Sequence, residues 1–418
     1  MKKYFLSLIL FTFCFLGFSQ SGTSSPYSFY GVGINTFKGS IDNRSMGGLS
    51  LYTDSIHLNL TNPASYSQLR RTNYSLGITY DSTSLKSDLA NETSTSANVN
   101  YLAVGIPTNK FTFGFGIIPQ TSVGYLLESS DKESIPNTID RYNGEGGLNT
   151  AFLTLGFKIF KKIGLGVTAN YEFGNLRHST TRFLENIEKA SRIESNSSLS
   201  GINFVYSLLL REKISNKLTL HASFIQSPEF KLGSNNTQTI STFSTSANST
   251  LDQISVDLAS LDLEKTEITV TQKQTFGLGI GQDTKWFFGA EYMKSNGGGL
   301  KNQLFNLNNV DYKNGSRISI GGFYIPEFDS FTNYFNTIVY RLGIRIEKTG
   351  LYIQDQSIDE IGFNFGLGLP FQGFSNVNLG FEIGKRGSQN EGLLEENFFS
   401  VRLGMSLSDL WFVKNKYN

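Results

Sequence analysis

A strict alternation of apolar residues with small or polar ones constrains the fold of this chain more than any other feature. Between residues 163 and 173, every second side chain from Ile163 to Phe173 is apolar, and the residues between them are glycine, threonine, asparagine or glutamate. Successive residues of a β-strand point to opposite faces, so this pattern predicts strands with one apolar face. The alternation returns in residues 276–281, 340–347, 363–369, 377–384 and 399–407.

The length of these segments favours a membrane barrel over a large secreted all-β domain, which would also alternate. They run for about nine to eleven residues, enough to cross a bilayer at a steep tilt, whereas soluble strands centre on about five or six. A closed sheet satisfies every backbone group in lipid, so we predict an all-β fold, a transmembrane antiparallel β-barrel. Aromatic residues near strand ends are interpreted as interfacial girdles: Tyr125, Trp286, Tyr292, Trp411 and Phe412.

The candidate strands after residue 70 number about fourteen, an even count that suits a single-chain bacterial barrel. We expect the longest connection, roughly residues 231–267 with its Ser/Thr/Asn-rich tract, to be a solvated outer loop. The predicted strands are residues 73–84, 96–107, 110–127, 148–160, 162–176, 198–213, 216–230, 268–282, 284–294, 316–325, 337–348, 359–370, 375–385 and 397–408.

The charge balance excludes nucleic-acid binding, and the first residues predict export of the chain. The 36 Lys+Arg against 35 Asp+Glu leave a net charge of +1, without the basic surplus that nucleic-acid binding requires. Met1, Lys2 and Lys3 followed by an apolar stretch predict a secretory signal peptide over residues 1–19, which is removed. The single cysteine, Cys14, lies within it, so we expect no disulfide and no cysteine–metal site in the mature chain.

The sequence offers no candidate catalytic constellation. Its three histidines, His57, His178 and His221, are scattered, and no G-x-S-x-G motif is present. We therefore expect a protein that is not an enzyme and that has no metal site and no cofactor.

Two places depart from the strand pattern. Residues 20–70 are too long and irregular for one strand, and a segment of about fifty residues can fold back to plug a wide barrel. A periplasmic tail is the alternative, but we assign residues 20–70 to an N-terminal hatch and residues 71–418 to the barrel. Pro119, in the third strand, lacks the N–H of the ladder. It indicates a gap or kink in the wall, or a strand that has already left the membrane.

At these residues the chain resembles the FadL-type outer-membrane transporters of long-chain fatty acids and other hydrophobic compounds. The resemblance rests on Met46-Gly47-Gly48 leading to Asn62-Pro63-Ala64, on the proline-interrupted, glycine-rich third strand and on the strand count. It implies that Asn62, Pro63 and Ala64 are hatch residues and that Pro119 lies near a lateral opening. It also implies passive transport by a monomer in the bacterial outer membrane, with hydrophobic small molecules and membrane lipid as partners.

The same architecture also resembles the FadL-like barrel subunit of the type IX protein secretion system, which binds translocon or secreted proteins. A transporter should enclose a dry, apolar pocket, whereas a binding subunit should expose a polar loop surface or an apolar patch. We expect the lumenal charges to pair across strands or with the hatch, rather than to line an open pore: Arg341, Arg345, Glu347, Glu382 and Arg402.

Overall fold

A computed structural model describes residues 22–87, 91–131, 133–160, 162–247, 249–297, 302–305, 307, 309–371 and 375–411. The predicted signal peptide, residues 1–19, lies outside the described residues, as do hatch residues 20 and 21 and Phe412 of the predicted girdle. No helix in these ranges is long and apolar enough to cross a membrane.

One antiparallel sheet closes on itself to form the barrel, because the last strand pairs with the first, Asp409 opposite Thr72 and Glu395 opposite Lys86. The count of fourteen strands confirms the prediction. In chain order they are β1 (Thr72–Lys86), β2 (Asn91–Pro107), β3 (Phe111–Asp131), β4 (Thr138–Ile159), β5 (Ile163–Leu184), β6 (Lys189–Lys213), β7 (Thr219–Ser227 and Phe230–Ser244), β8 (Lys265–Val270 and Lys273–Gln282), β9 (Trp286–Ser295), β10 (Val310–Tyr312 and Gly315–Tyr324), β11 (Val339–Ile353), β12 (Gln356–Phe371), β13 (Ser375–Gly387) and β14 (Glu395–Asp409).

A few short elements lie outside this wall. The two-residue strand Ile34–Asn35, called the hatch strand below, pairs with β3, and Ser249–Ser255 pairs with the second half of β7. The short helices are the 3-10 turns Pro26–Phe29, Pro63–Gln68, Gln303–Phe305 and Asn390–Gly392 and the α-helical turns Ile41–Arg44 and Tyr334–Thr337.

The alternation predicted from sequence becomes the two faces of the wall. Leu278, Leu342 and Phe363 point outward and are more than half exposed. Inward positions such as Gly166, Gly343 and Glu382 face the lumen. The apolar face therefore points toward lipid, as a transmembrane barrel requires.

The outer part of the barrel differs from two expectations. Residues 231–267, expected to form a loop, are mostly strand, because Phe230–Ser244 pairs with β6 from Lys189 to Ser200. Tyr125, expected in a girdle, faces the lumen and is hydrogen-bonded to His178 over 2.6 Å. The physical reason is a β-bulge between Pro119 and Thr121, since one extra residue moves every later side chain of the strand to the other face.

Residues 22–70, called the hatch below, pack inside the barrel against side chains of the wall. Ile41, Leu58 and Tyr66 pack with Tyr101 and Phe152 of the wall in one apolar cluster. A second cluster joins hatch residues Met46, Leu49 and Leu51 to Phe287, Phe323 and Ile325. The hatch therefore contributes to the main apolar clusters inside the barrel.

Most of the hatch lies near one end of the barrel, called the short-turn end. Four of the connections there are short, residues 108–110, 160–162, 214–218 and 283–285, and a fifth, residues 325–338, is longer. Short turns face the periplasm in outer-membrane barrels, and longer connections face outward.

Candidate functional site

The motif Asn62-Pro63-Ala64 forms the start of a 3-10 turn that is packed against the wall. Asn62 precedes the turn Pro63–Gln68, and Asn62 and Ala64 are fully buried. The Ala64 backbone N–H donates to the Ser207 hydroxyl over 2.6 Å. Asn62 also binds within the hatch, where its Nδ2 donates to the Ser50 carbonyl over 3.2 Å. These three residues thus connect the hatch to the inner face of β6.

Inward glycines make room for the hatch backbone. A Cβ added at Gly166 would lie closer than 3.0 Å to backbone atoms of Pro63 and Ala64. The same holds for Gly343 against Met46 and Gly47. Glycine at these positions is therefore needed for close approach, and the glycine-rich inward face is a docking surface for the hatch.

A buried ionic cluster fastens the hatch to the wall. Arg44, at the end of the turn Ile41–Arg44, donates from Nε and Nη2 to the two carboxylate oxygens of Glu382 over 2.7 and 2.8 Å. Arg402 and Arg345 reach the same carboxylate over 2.8 and 3.1 Å. Glu382 is fully buried, so its charge depends on these three guanidinium groups.

The ionic cluster extends toward the longer connections. Arg386 binds Glu360 over 2.7 Å and Glu396 over 2.9 Å, and Glu396 accepts a hydrogen bond from the hydroxyl of Ser25. Arg345 joins both parts because it also binds Glu360. The expectation that lumenal charges pair across strands or with the hatch is confirmed for Arg345, Glu382 and Arg402, whereas Glu347 binds Arg345 of its own strand. Arg341 instead donates to Asn378 over 2.9 Å.

A second polar contact holds the hatch to strand β9. The Ser50 backbone N–H and hydroxyl both donate to the carboxylate of Glu291, over 2.9 and 2.8 Å. Glu291 is buried. The hatch is therefore fastened by directional bonds to two different sectors of the barrel, through Glu291 and Glu382.

The wall between β2 and β3 is paired over only part of its height. Cross-strand partners run from Pro107 and Thr112 to Leu102 and Ile117, and among the described residues the ladder between these two strands goes no further. Pro119 lies two residues beyond the last pair. From there β4 is the only wall strand that pairs with β3 among the described residues, through the bulge at Pro119.

The hatch strand borders this unpaired edge of β3. Ile34 lies opposite Ser122 and Asn35 opposite Thr121. The Thr36 N–H donates to the Gln120 carbonyl over 3.1 Å, and its hydroxyl donates to the carbonyl of Pro119. The backbone groups that β2 leaves unpaired near Pro119 are thus partly satisfied by the hatch.

Residues 34–37 lie between two cavities. The gap cavity, of about 620 Å³, is bordered by Pro119 and Val99 at the β2–β3 gap, and most of its lining side chains are polar. The inner cavity, of about 300 Å³, lies on the lumenal side and includes Tyr30, Val32 and Ile225. Residues 34–37 line both cavities.

Six cationic side chains line the inner cavity. Arg44, Arg345 and Arg386 are paired with carboxylates of the ionic cluster, two of which, Glu347 and Glu360, also line the cavity. The other three are Lys38, Lys273 and Arg317. None of them belongs to an ion pair with another residue that the structure describes. A cavity with aromatic and aliphatic walls and several cationic groups can hold an amphipathic anion, because the walls bury its apolar part and the cations bind its head group.

The three histidines have different partners. His57 is paired with Asp54 inside the hatch over 2.6 Å, and His178 is bonded to Tyr125. His221 lies buried in β7, where it packs against Tyr52 and Phe287. The part of the chain that the structure describes contains no group of His, Cys, Asp and Glu side chains suited to a metal ion.

The fold defines a class of protein, the fourteen-stranded antiparallel β-barrel, here with residues 22–70 packed inside it. The chain belongs to the BamG family, since the family model described as BamG matches residues 1–418. No curated protein sequence matches the chain.

Several solved structures, among them toluene transporters and a FadL homologue, have a fold similar to that of this chain. The toluene transporter TbuX of Ralstonia pickettii has a TM-score of 0.58 and a sequence identity of 13%. The alignment covers 89% of this chain and 99% of TbuX. A FadL homologue of Pseudomonas aeruginosa has a TM-score of 0.56 and a sequence identity of 12%, and the alignment covers 90% of this chain and 98% of the homologue. The toluene transporter TodX of Pseudomonas putida has a TM-score of 0.54 and a sequence identity of 14%. The alignment covers 90% of this chain and 99% of TodX. These similarities support the FadL resemblance at the level of the fold.

Sequence reasoning missed several residues of the site. Arg44, Glu360 and Arg386 carry much of the ionic cluster, and the hatch strand borders both cavities. Arg44 directly precedes Ser45-Met46-Gly47-Gly48, so a basic residue beside the glycine motif was a usable signal. The inward charges of β12 and β13, Glu360 and Arg386, were also visible as polar positions in alternating strands.

Proposed function

We propose that this protein is a passive transporter of hydrophobic compounds, long-chain fatty acids among them, in the bacterial outer membrane. The compounds enter from the outer side, bind in the inner cavity and leave sideways at the β2–β3 gap near Pro119. The FadL-type fold and the hatch in the lumen support this proposal. No chemical step is needed, since downhill movement into lipid drives the transfer of apolar molecules.

The observation that carries the proposal is the position of residues 34–37 between the two cavities. This segment is attached to β3 by the short ladder of the hatch strand and by Thr36. Few backbone bonds hold it, so it can detach from β3 at much lower cost than a wall strand. Its displacement would join the inner cavity to the gap cavity and hence to the lateral exit.

A disulfide between the hatch strand and β3 is expected to abolish transport. Asn35 and Thr121 are direct cross-strand partners, a geometry that suits the double substitution Asn35→Cys/Thr121→Cys. The lock holds residues 34–37 in place, so uptake of a fluorescent fatty acid into proteoliposomes should fall to the protein-free level. Reduction with dithiothreitol should restore uptake.

The matched control is a disulfide that joins two wall strands. Thr154 and Thr168 are paired across β4 and β5, with their hydroxyls 2.7 Å apart. The Thr154→Cys/Thr168→Cys variant should transport equally well before and after reduction. Unchanged uptake in the oxidised Asn35/Thr121 variant would contradict an exit route through residues 34–37.

The cationic groups of the inner cavity support fatty acids as substrates. We expect the double variant Lys38→Met/Lys273→Met to bind laurate about tenfold or more weakly, because charge-assisted bonds are each worth about 1.5–3 kcal/mol. Binding of methyl laurate, which lacks the anionic head, should change little. Intrinsic-fluorescence titration measures both ligands, and Lys217→Met in an exposed turn is the control. Equal weakening of acid and ester would contradict recognition of the carboxylate.

The polar lining of the gap cavity favours a second candidate function, that of a FadL-like subunit binding secretion-system proteins. Hydroxyl and amide groups such as those of Ser96, Asn98 and Ser122 match a hydrogen-bonding partner better than a hydrocarbon. Mass spectrometry of the purified barrel distinguishes the two functions. Apolar molecules that are lost in an Ala64→Phe variant favour transport, and retained secreted proteins favour the alternative.

A further inference from the structure

The connection between β10 and β11, residues 325–338, is unlike the other connections at the short-turn end. It is several times longer than residues 160–162 or 283–285, and it includes the helical turn Tyr334–Thr337. We call residues 325–338 the aromatic loop, because it carries four exposed aromatic side chains: Phe328, Phe331, Tyr334 and Phe335. Phe331 is 100% exposed and Phe335 is 68% exposed.

The aromatic loop is an ordered element. Both of its ends are anchored by buried isoleucines, Ile325 and Ile338. The Asn333 side chain caps the helical turn by accepting from the Phe335 N–H over 3.0 Å, and the Glu327 N–H donates to the Asn336 carbonyl over 2.9 Å. The exposed rings are therefore held on a defined scaffold, which a solvated linker would not need.

Contacts with the wall place the helical turn on the outer perimeter of the barrel. Tyr340 belongs to the outward, apolar face of β11 and lies opposite Tyr324 of β10. Its hydroxyl donates to the carbonyl of Phe335 over 3.3 Å. The Tyr334 hydroxyl donates to the carbonyl of Pro370, at the end of β12, over 3.1 Å. The turn therefore extends sideways along the rim, from β11 toward β12.

This position makes the aromatic loop continuous with the lipid-facing wall. Tyr324, Tyr340 and Phe371 border it on the same side, and Leu342 continues the apolar face above it. Aromatic rings at the membrane–water boundary are favourable because their apolar body enters the acyl region, and helices with one apolar face lie in that plane. In water the same rings would form an exposed apolar patch.

We propose that the aromatic loop binds phospholipid as an interfacial anchor, inserting Phe331 and Phe335 into the boundary of the leaflet at the short-turn end. Its partner is the lipid surface itself. Glu327 and Asp329 lie in the same loop, so attraction to anionic head groups is not the source of binding, which rests on burial of the rings. This inference is independent of what the barrel transports.

Depth-dependent quenching of tryptophan fluorescence tests the proposal. The reporter is Phe331→Trp in a background where Trp286 and Trp411, the chain's two tryptophans, are replaced by phenylalanine. The full-length barrel is reconstituted into phosphatidylcholine vesicles with or without bromine on the acyl chains. We expect a blue-shifted emission that is quenched by brominated lipid, more strongly by bromine near the head group than by bromine near the chain end.

Two matched reporters define the scale in the same background. Leu342→Trp, on the outward face of β11, should be quenched strongly, and Asn216→Trp, in an exposed turn at the same end, should not be quenched. Emission of Phe331→Trp that matches Asn216→Trp would overturn the proposal, because the loop would then project into water and its rings would be free for a protein partner. Mobility shifts between heated and unheated samples on gels verify that each variant is folded.

Discussion

Replacing Glu382 with glutamine is expected to lower the free energy of unfolding of the barrel by about 3–5 kcal/mol, because the loss of one partner leaves buried charges uncompensated. Arg44, Arg345 and Arg402 all bind this carboxylate. The effect should appear as a lower urea midpoint for the barrel in detergent micelles, with an unchanged slope.

The control for Glu382→Gln is a carboxylate paired at the surface. Glu128 binds Arg141 over 3.1 Å, with both side chains about half exposed. Glu128→Gln should therefore change stability by no more than about 1 kcal/mol. If the two variants had equal midpoints, the lumenal ionic cluster would not be a stabilising contact between hatch and wall. A double variant Arg44→Met/Glu382→Met should be less damaging than the sum of its single variants, since these residues are in contact.

Replacing Gly166 with valine is expected to displace the hatch from the lumen. The added Cβ would overlap the backbone of Pro63 and Ala64, which has no flexible side chain to move aside. Overpacking of this kind costs about 1–3 kcal/mol even where neighbours can shift. We expect steady ion conductance through the variant in planar bilayers and rapid proteolysis of residues 22–70, because a barrel of this width is open once its plug has left.

The matched glycine is Gly233 of β7, where an added Cβ would come no closer than 3.7 Å to the Ser200 carbonyl. Gly233→Val should leave conductance and proteolysis as in the unmodified protein. A closed, protease-resistant Gly166→Val barrel would show that the hatch does not depend on close approach to β5. Partial disruption by Gly166→Ala, weaker than by Gly166→Val, would further support a steric cause.

The wall of the barrel was largely predictable, and the reason is local. In a strand between lipid and a lumen, each residue's face follows from its position in the strand alone, so Ile163 and Gly164 already indicate outward and inward positions. The prediction of strands from alternation was less successful at the end of the barrel with the longer connections. There β6 and β7 are polar on both faces, so residues 231–244 carried no alternation although they are paired strand.

The candidate site was predictable only in its chain segments. Asn62, Pro63 and Ala64 were expected in the hatch by resemblance, and they lie buried against Gly166. Pro119 was expected at an interruption of the wall, and it lies just beyond the last β2–β3 pair. Their proposed roles in plugging and lateral exit remain predictions, which the disulfide and glycine variants test.

The amino-acid sequence was sufficient for the barrel class and the strand number, because these depend on short-range periodicity. Closure of the sheet decided the rest. Only closure brings Arg44 into contact with Glu382, which is 338 positions away in the sequence. It also places the hatch strand beside β3. One bulge turned Tyr125 from a predicted lipid contact into a lumenal residue. Such contacts depend on three-dimensional distance and register, which no local pattern encodes.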